Sequence, residues 1–442
     1  MNELQTYLNN TKVEDLHQSQ IANYLKDLKD DEFKEAIKLI PKELIGDVAL
    51  ELPDRYFEDV IESFDVQDLV QAVSELESDD QTDFMKELEE HDKNIAKEVF
   101  ENLDEEDQED INILKNYEDD QAGAYMQREL FSANENEVLQ DVINKYKTLK
   151  ENEELENING LFVTDDNNKL KYSVRLDSLL IFDFSKTLKE NINNNDDRYT
   201  PIYAYDYDKI DDAVKLIQDY DLNALAIVNY KHELVGRITS DDVYDIIHEQ
   251  ATDQMYHMAG VHEDAEEDED IIQAGKTRAV WLGVNLITAI LASIVIGMFE
   301  QTISSIVALA ILMPIVASMG GNAGTQSLTV VVRQLALGDI AQNDAIRTIK
   351  KEVILSLANG SLFAIVMGFI AYIWFSQPLL GVVIGLSMVI NLLSAGFFGS
   401  MIPLLLKKLD IDPAIASTVI LTTITDVVGF VSFLGLATMI LL

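Results

Sequence analysis

No cysteine occurs in the 442 residues, which excludes disulfides and thiolate metal ligands together. The six histidines, at 17, 91, 232, 248, 257 and 262, show no HxxxH spacing. A soft-metal site is therefore not expected, while oxygen ligands abound. Bases are scarce: 33 Lys and Arg stand against 78 Asp and Glu, a net charge of −45. Such a chain repels nucleic acid and attracts cations. No GxxxxGK[ST] loop is present, so no ATPase motif is available to drive work. The opening "MNELQTYLNNTKVEDL" lacks the basic start and apolar core of a secretory signal, and none is expected there.

The acidity is uneven. Residues 1–275 hold 71 of the acids and 25 of the bases, a net charge of −46; the seven acids and eight bases that follow leave the remainder near neutral. Length and composition together predict two or more domains, an acidic water-soluble body joined to an apolar tail. The body carries too many aromatic and aliphatic residues to be simply disordered.

Five apolar runs in the tail reach the roughly 20 residues a bilayer span requires: 279–299, 303–332, 353–375, 379–406 and 414–442. Pro314 and Pro403 mark expected kinks. All eight bases flank the runs on one side: Lys276 and Arg278, then Arg333, Arg347, Lys350 and Lys351, then Lys407 and Lys408. The positive-inside rule makes that side cytoplasmic. The expected protein is thus multi-pass in a cell (inner or plasma) membrane and in contact with lipid, its acidic body cytoplasmic and its C-terminus outside. An odd number of spans without internal halves points to two chains around a shared axis.

Asp426, in "ILTTITDVVGF" (420–430), is the single charge in the last run. A lone carboxylate at membrane depth needs a proton, a partner or a cation. Either it is protonated and bonded to a neighbouring helix, or it lines a water-filled pore opposite its twin. Two such carboxylates suit Mg2+, which keeps several waters and takes one or two carboxylates, better than Ca2+. A second polar island, "GGNAGTQS" (320–327), is expected to break its helix and to offer the dipoles of Asn322, Thr325 and Gln326; close packing through small residues is the equal alternative. Asn391 and Ser394 are candidates to line the same cavity, and Glu300 is an exposed loop acid.

In the body, residues 1–135 carry apolar clusters such as "FKEAIKLI", "LIGDVALEL" and "YFEDVIESF" every ~10–12 residues, the pattern of stacked short amphipathic helices. In "SDDQTD" (78–83), Asp79 and Asp83 stand four apart on one helix face and repel unless a cation intervenes. Residues 136–250 resemble a pair of CBS modules, carried by "GLFVTDDNNKLKYSVRLDSLL" (160–180) and "ALAIVNYKHELVGRITSDDVYDII" (224–247). Asp177 and Asp241 stand where a ribose contact would fall, although ordinary N-cap use explains them as well. From Asp241 to about Met258 one helix is expected, with Asp242, Asp245 and Asp253 in one acidic stripe, followed by the charged break "HEDAEEDED".

The stretches "PIVASMGGNAGTQSLTVVVRQLALGDI" (314–340) and "DPAIASTVILTTITDVVGF" (412–430) resemble the MgtE family of magnesium transporters and channels. The resemblance extends along the chain. It implies a multidomain membrane protein: an all-α superhelical N-terminal domain (1–135), an α/β CBS-domain pair (136–250), a connecting plug helix and linker (241–275) and a five-helix transmembrane pore domain (276–442). It implies a homodimeric, Mg2+-selective channel, not an enzyme, that moves Mg2+ down its electrochemical gradient into the cytoplasm and is shut by cytoplasmic Mg2+. By the same resemblance Asp426 selects the ion, Asp412 meets it at the cytoplasmic mouth and Asn322 lies at the constriction. The regulatory ions would be held by Asp79, Asp83, Asp211, Asp221, Asp242, Asp245 and Asp253. Lys209, Gln218, Gln250 and Gln254 depart from the family pattern and weaken particular sites. An adenosine nucleotide at the CBS pair is the further partner implied. The rival readings are a nucleotide-sensing CBS membrane protein, a broader Co2+/Mn2+ transporter and, remotely, an intramembrane aspartyl hydrolase, which would need a second deep carboxylate.

Overall fold

The computed structural model describes residues 2–12, 15–151, 158–192, 197–260, 271–336, 340, 344–409 and 411–442. The charged break at 262–270 lies outside the described residues. The chain divides into two compact units, Met1–His248 and Glu249–Leu442.

Among the described residues the first unit begins with nine short α-helices: α1 (Asn2–Asn10), α2 (Gln18–Lys26), α3 (Asp30–Ala36), α4 (Ile45–Leu50), α5 (Phe57–Ser63), α6 (Val66–Ser74), α7 (Ser78–His91), α8 (Lys93–Asn102) and α9 (Glu105–Leu114). Their starts are specified locally. Asp65, Asp92 and Asp104 each accept backbone N–H groups of the following first turn, satisfying donors the helix leaves unpaired. One stripe of each helix, including Phe33, Phe57, Phe84 and Leu88, joins a single core, and the acidic stripes stay in water.

Two α/β modules follow with the same topology. The first contains β1 (Ser132–Asn134), α10 (Leu139–Glu151), β2 (Gly160–Thr164), β3 (Leu170–Arg175), α11 (Leu176–Leu179) and α12 (Leu188–Asn191). The second contains β4 (Tyr203–Tyr205), α13 (Ile210–Asp219), β5 (Ala224–Val228), β6 (Leu234–Thr239) and α14 (Ser240–Ala259). In each, the first strand runs parallel to the second and the second antiparallel to the third. Ser132 pairs with Phe162 as Tyr203 pairs with Ala226, so strand pairing carries the first sheet a few residues ahead of position 136. Asn168 and His232 occupy equivalent hairpin positions at φ 57° and 64°. The left-handed region is easier for Asn than for His, which makes His232 the more constrained of the two. The hairpins also join each other, Leu170 N–H donating to His232 O and Leu234 N–H to Asn168 O.

Among its described residues the second unit holds five helices long and apolar enough to cross a membrane: α15 (Ile271–Gly297), α17 (Ala308–Ala336), α18 (Ala345–Phe375), α19 (Pro378–Lys408) and α20 (Pro413–Leu441), with short α16 (Glu300–Ser305) after the first. The five spans read from sequence are therefore present, and the protein is a multi-pass membrane protein. α19 is the inner helix, packed on α17, α18 and α20, whereas α15 is scarcely buried. Pro314 and Pro403 both lie inside continuous helices. The expected break at 320–327 does not occur: α17 runs through the glycines unbroken. They serve close approach instead, Gly324 toward Leu421 of α20 and toward Gly399 of α19.

Candidate functional site

α17 presents Ser318, Asn322 and Gln326 at i, i+4 and i+8, and all three are exposed, forming a polar stripe on an apolar helix. Asn322 donates only to Ser318 Oγ, at 3.4 Å. On α20, Asp426 is half-buried and makes no hydrogen bond or ion pair with any described residue. Its hydroxyl neighbours do not supply one. Thr422, Thr423 and Thr425 donate to their own helix, at Thr418 O (2.9 Å), Val419 O (2.7 Å) and Leu421 O (3.1 Å). A carboxylate left this way in a membrane-spanning helix must meet water, a cation or another chain.

Asn391 and Ser394 do not line a cavity with these groups. Asn391 is 0% exposed and donates from Nδ2 to Val316 O at 2.8 Å. Its amide fills the space that a Cβ at Gly320 of α17 or at Gly429 of α20 would take. Its Oδ1 and the hydroxyl of Ser394 are buried without a hydrogen-bond partner. One amide thus sets the spacing of the two helices that carry Asn322 and Asp426. Sequence reasoning also passed over Glu352 of α18, 4% exposed, which accepts from Ser327 Oγ at 2.8 Å and clasps the end of the polar island. Only its position at the start of an apolar run hinted at it.

Asp412 caps α20: Oδ1 accepts from Ala414 N–H at 2.8 Å. Its Oδ2 lies 3.0 Å from His257 Nδ1 at the end of α14, and Thr418 Oγ1 donates to Met258 O. Both oxygens of the expected mouth residue are therefore engaged by protein.

In the first unit, the start of α7 faces β6 and the first turn of α14. Asp79 is 7% exposed and its Oδ1 has no hydrogen-bond partner. Asp242 accepts from Thr239 N–H (3.1 Å), Thr239 Oγ1 (2.6 Å) and Gln127 Nε2 (3.4 Å). Ser78 donates to Glu129 through N–H (3.1 Å) and Oγ (2.9 Å). Burial, then the charges of Asp80, Asp242 and Glu77, raise Asp79 well above the carboxylate range. Burial likewise raises Glu77 to about 8 against the pull of Arg237, with Glu129, Asp242 and Asp80 adding to the rise. Asp80 keeps an exposed edge, yet the poorly solvated surroundings of its carboxyl, then Asp242, Asp83 and Asp47, push it up to about 7. Asp242 is raised by burial despite the opposing Thr239 bonds.

The other expected acids are dispersed. Asp83 does not share the environment of Asp79; it is exposed and paired with Lys86 at 3.0 Å. Asp245 is exposed and raised by desolvation, then by Glu51 and Asp241. Asp211 opens α13 and Asp221 sits in the following turn at φ 50°, both exposed. Asp253 lies on the later half of α14. Asp177 pairs with Arg175 at 3.1 Å. Among the described residues no three ligand side chains converge on a direct metal site. The orphaned Asp79 oxygen beside Asp242 suits a hydrated ion that takes one or two carboxylates and keeps its waters.

A family model described as divalent cation transporter, MgtE, matches residues 313–436; the MgtE intracellular N domain matches 16–120, and a CBS domain 198–249. A magnesium transporter MgtE of Enterococcus faecalis is 31% identical over 75% of this chain and 71% of its own. One of Thermus thermophilus is 28% identical over 82% and 79%. Among solved structures, the cytosolic domain of the Mg2+ channel MgtE in complex with ATP aligns with 55% of this chain and 98% of its own, at 23% identity and a TM-score of 0.48.

If one amide spaces α17 and α20, Gly320→Ala and Asn391→Ala will not act additively. The double variant should unfold in detergent at least ~1 kcal/mol less destabilised than the sum of the single variants; strict additivity would refute the shared niche.

Proposed function

The chain belongs to the MgtE family of magnesium transporters, and on that premise we propose that it conducts Mg2+ into the cytoplasm through a pore at the axis of a homodimer. The observation that carries this reading is Asp426, a half-buried intramembrane carboxylate without a partner among the described residues. Across a dyad two such carboxylates form a site of charge −2 that holds Mg2+ through its water shell. The ion moves down its electrochemical gradient, and the polar stripe of Ser318, Asn322 and Gln326 supplies dipoles along its path. The scarcely buried α15 is then covered by lipid or by the second copy. The body and its acids lie in the cytoplasm, on the side of the loop bases.

Gating follows from the crowded acids. Without Mg2+, ionising Glu77, Asp79, Asp80 and Asp242 together is unfavourable. Bridging Mg2+ favours the ionised, compact arrangement and shifts the population toward it. α14, which begins with Asp242 in this cluster and ends with His257 at Asp412, is the element that transmits the change to the pore. The exposed positions of Asp83, Asp211 and Asp221 give them a smaller share in this scheme. A nucleotide at the CBS pair would act on the same compaction.

Asp426→Ala should abolish Mg2+ uptake by protein reconstituted in liposomes while leaving dimers intact on sizing; uptake at the wild-type rate would remove the pore assignment. Asp79→Asn combined with Asp242→Asn should conduct normally at low Mg2+ and need at least about tenfold more cytoplasmic-side Mg2+ to close. An unchanged closing concentration would remove these residues from the sensor.

A further inference from the structure

α17 shows its polar stripe of Ser318, Asn322 and Gln326 on one face, yet lipid tails give an apolar helix little reason to prefer one rotation over another. Something must fix it. Among the described residues, two hydrogen bonds tie α17 to other helices, and they bracket the stripe. At one end Asn391 of α19 donates to Val316 O; at the other Ser327 donates from Oγ to Glu352 Oε2 of α18, at 2.8 Å. The two attachments stand about three helical turns apart.

Glu352 is an unusual partner. The inward stripe of α18 runs Glu352, Ser356, Gly360, Met367 and Ala371. Its first position holds a carboxylate, where an aliphatic side chain would pack without a desolvation cost. Lys350 and Lys351, next to it in sequence, are exposed and form no ion pair with it. Ser327 is unusual too. Ser361, Ser387 and Ser400 donate to carbonyls of their own helices, whereas Ser327 reaches across to a neighbouring one. α17 and α18 otherwise scarcely touch. They come within reach because α19 lies against both. A Cβ at Gly399 would fall 2.7 Å from Gly324 O, and one at Gly396 would collide with Ser356 Oγ and lie 2.9 Å from Glu352 O.

We propose that Glu352 is a positioning residue of the pore. By holding Ser327 it fixes the rotation of α17, and with it the direction in which Asn322 and Gln326 present their dipoles to the ion. Attachment at Val316 alone would leave the far half of the stripe free to turn. The inference rests on the pore reading; it requires neither the gating acids nor any contact between Glu352 and the ion.

The chain has no cysteine, so a single introduced thiol reports without background. Asn322→Cys, Thr325→Cys and Gln326→Cys are made separately in the full-length protein, in detergent and EDTA. Each is exposed to a positively charged methanethiosulfonate reagent, and the adduct is followed by mass spectrometry. A charged reagent reaches a thiol only through water. Positions 322 and 326 should react faster than 325, which lies about 100° from 326 around the helix. In Glu352→Ala that preference should fall at least about fivefold, the scale of one lost hydrogen bond to a charged group. Glu352→Gln keeps an acceptor oxygen and should hold the preference within about twofold. Ser327→Ala should act as Glu352→Ala does, and replaces it if that variant does not fold. A preference unchanged in either variant, even with a lower unfolding temperature, would overturn the proposal. So would a loss in Glu352→Gln equal to that in Glu352→Ala. Thiols inert at both 322 and 326 in an otherwise unaltered chain would remove the aqueous path itself, overturning the pore reading and this proposal together.

Discussion

Carboxylates in poorly solvated places, with too few fixed cations to neutralise them, set the terms for both halves of this molecule. In the membrane half the case is Asp426, whose neighbouring threonines are all turned back on their own helix. In the acidic half it is Glu77, Asp79, Asp80 and Asp242, gathered where α7 meets β6 and α14. An acid in such a place takes a proton, an arginine or a metal ion. The chain uses an arginine at one point, Arg237, and leaves the others to mobile cations. Mg2+ fits because it need not be stripped of water, and no preformed cage of three side chains is present among the described residues.

The scaffold makes these encounters reproducible. Glycines at 320, 324, 399 and 429 let α17, α19 and α20 approach until one buried amide, Asn391, spans them. Glu352 and Ser327 fasten α18 to the same bundle. In the acidic half, strand pairing holds β6 in register, so that Arg237 points at Glu77 from a rigid support. Rigid elements thus carry the charges, and in the proposed gating the ion selects which arrangement of those elements is populated.

Much of this was legible in the sequence. Five apolar runs with bases on one side gave the spans, and the repeated strand, turn, strand pattern gave two modules of equal topology. The helix from Asp241 to about Met258 runs from Ser240 to Ala259. Other features were hidden for physical reasons. Four-residue spacing puts Asp79 and Asp83 on roughly one helix face, but packing of α7 buries one and leaves the other beside Lys86. The glycines of 320–327 read equally well as a break or a packing surface, because only the neighbouring helices decide which. Asn391 looked like a cavity residue because a polar side chain in a span carries no mark of which way it faces. Glu77 and Arg237 meet across 160 residues, and no local pattern announces such a pair.

The central claim, that poorly solvated acids are neutralised by protons until Mg2+ replaces them, has a direct thermodynamic signature. Glu77 is pushed up to about 8 and Asp80 to about 7, so near pH 7 Glu77 is mostly protonated and Asp80 about half protonated in the ion-free protein. With both values above the ordinary carboxylate range, the stability of the ion-free cluster is full below that range and is lost progressively as pH rises from it, the loss being complete once pH has passed 7 to 8. Mg2+ binding favours the ionised forms and must expel those protons. Calorimetric titration of the full-length protein with Mg2+ at pH 7, in two buffers of different ionisation enthalpy, should therefore show net proton release. Observed heats that are the same in the two buffers, meaning no proton is exchanged, would contradict the account.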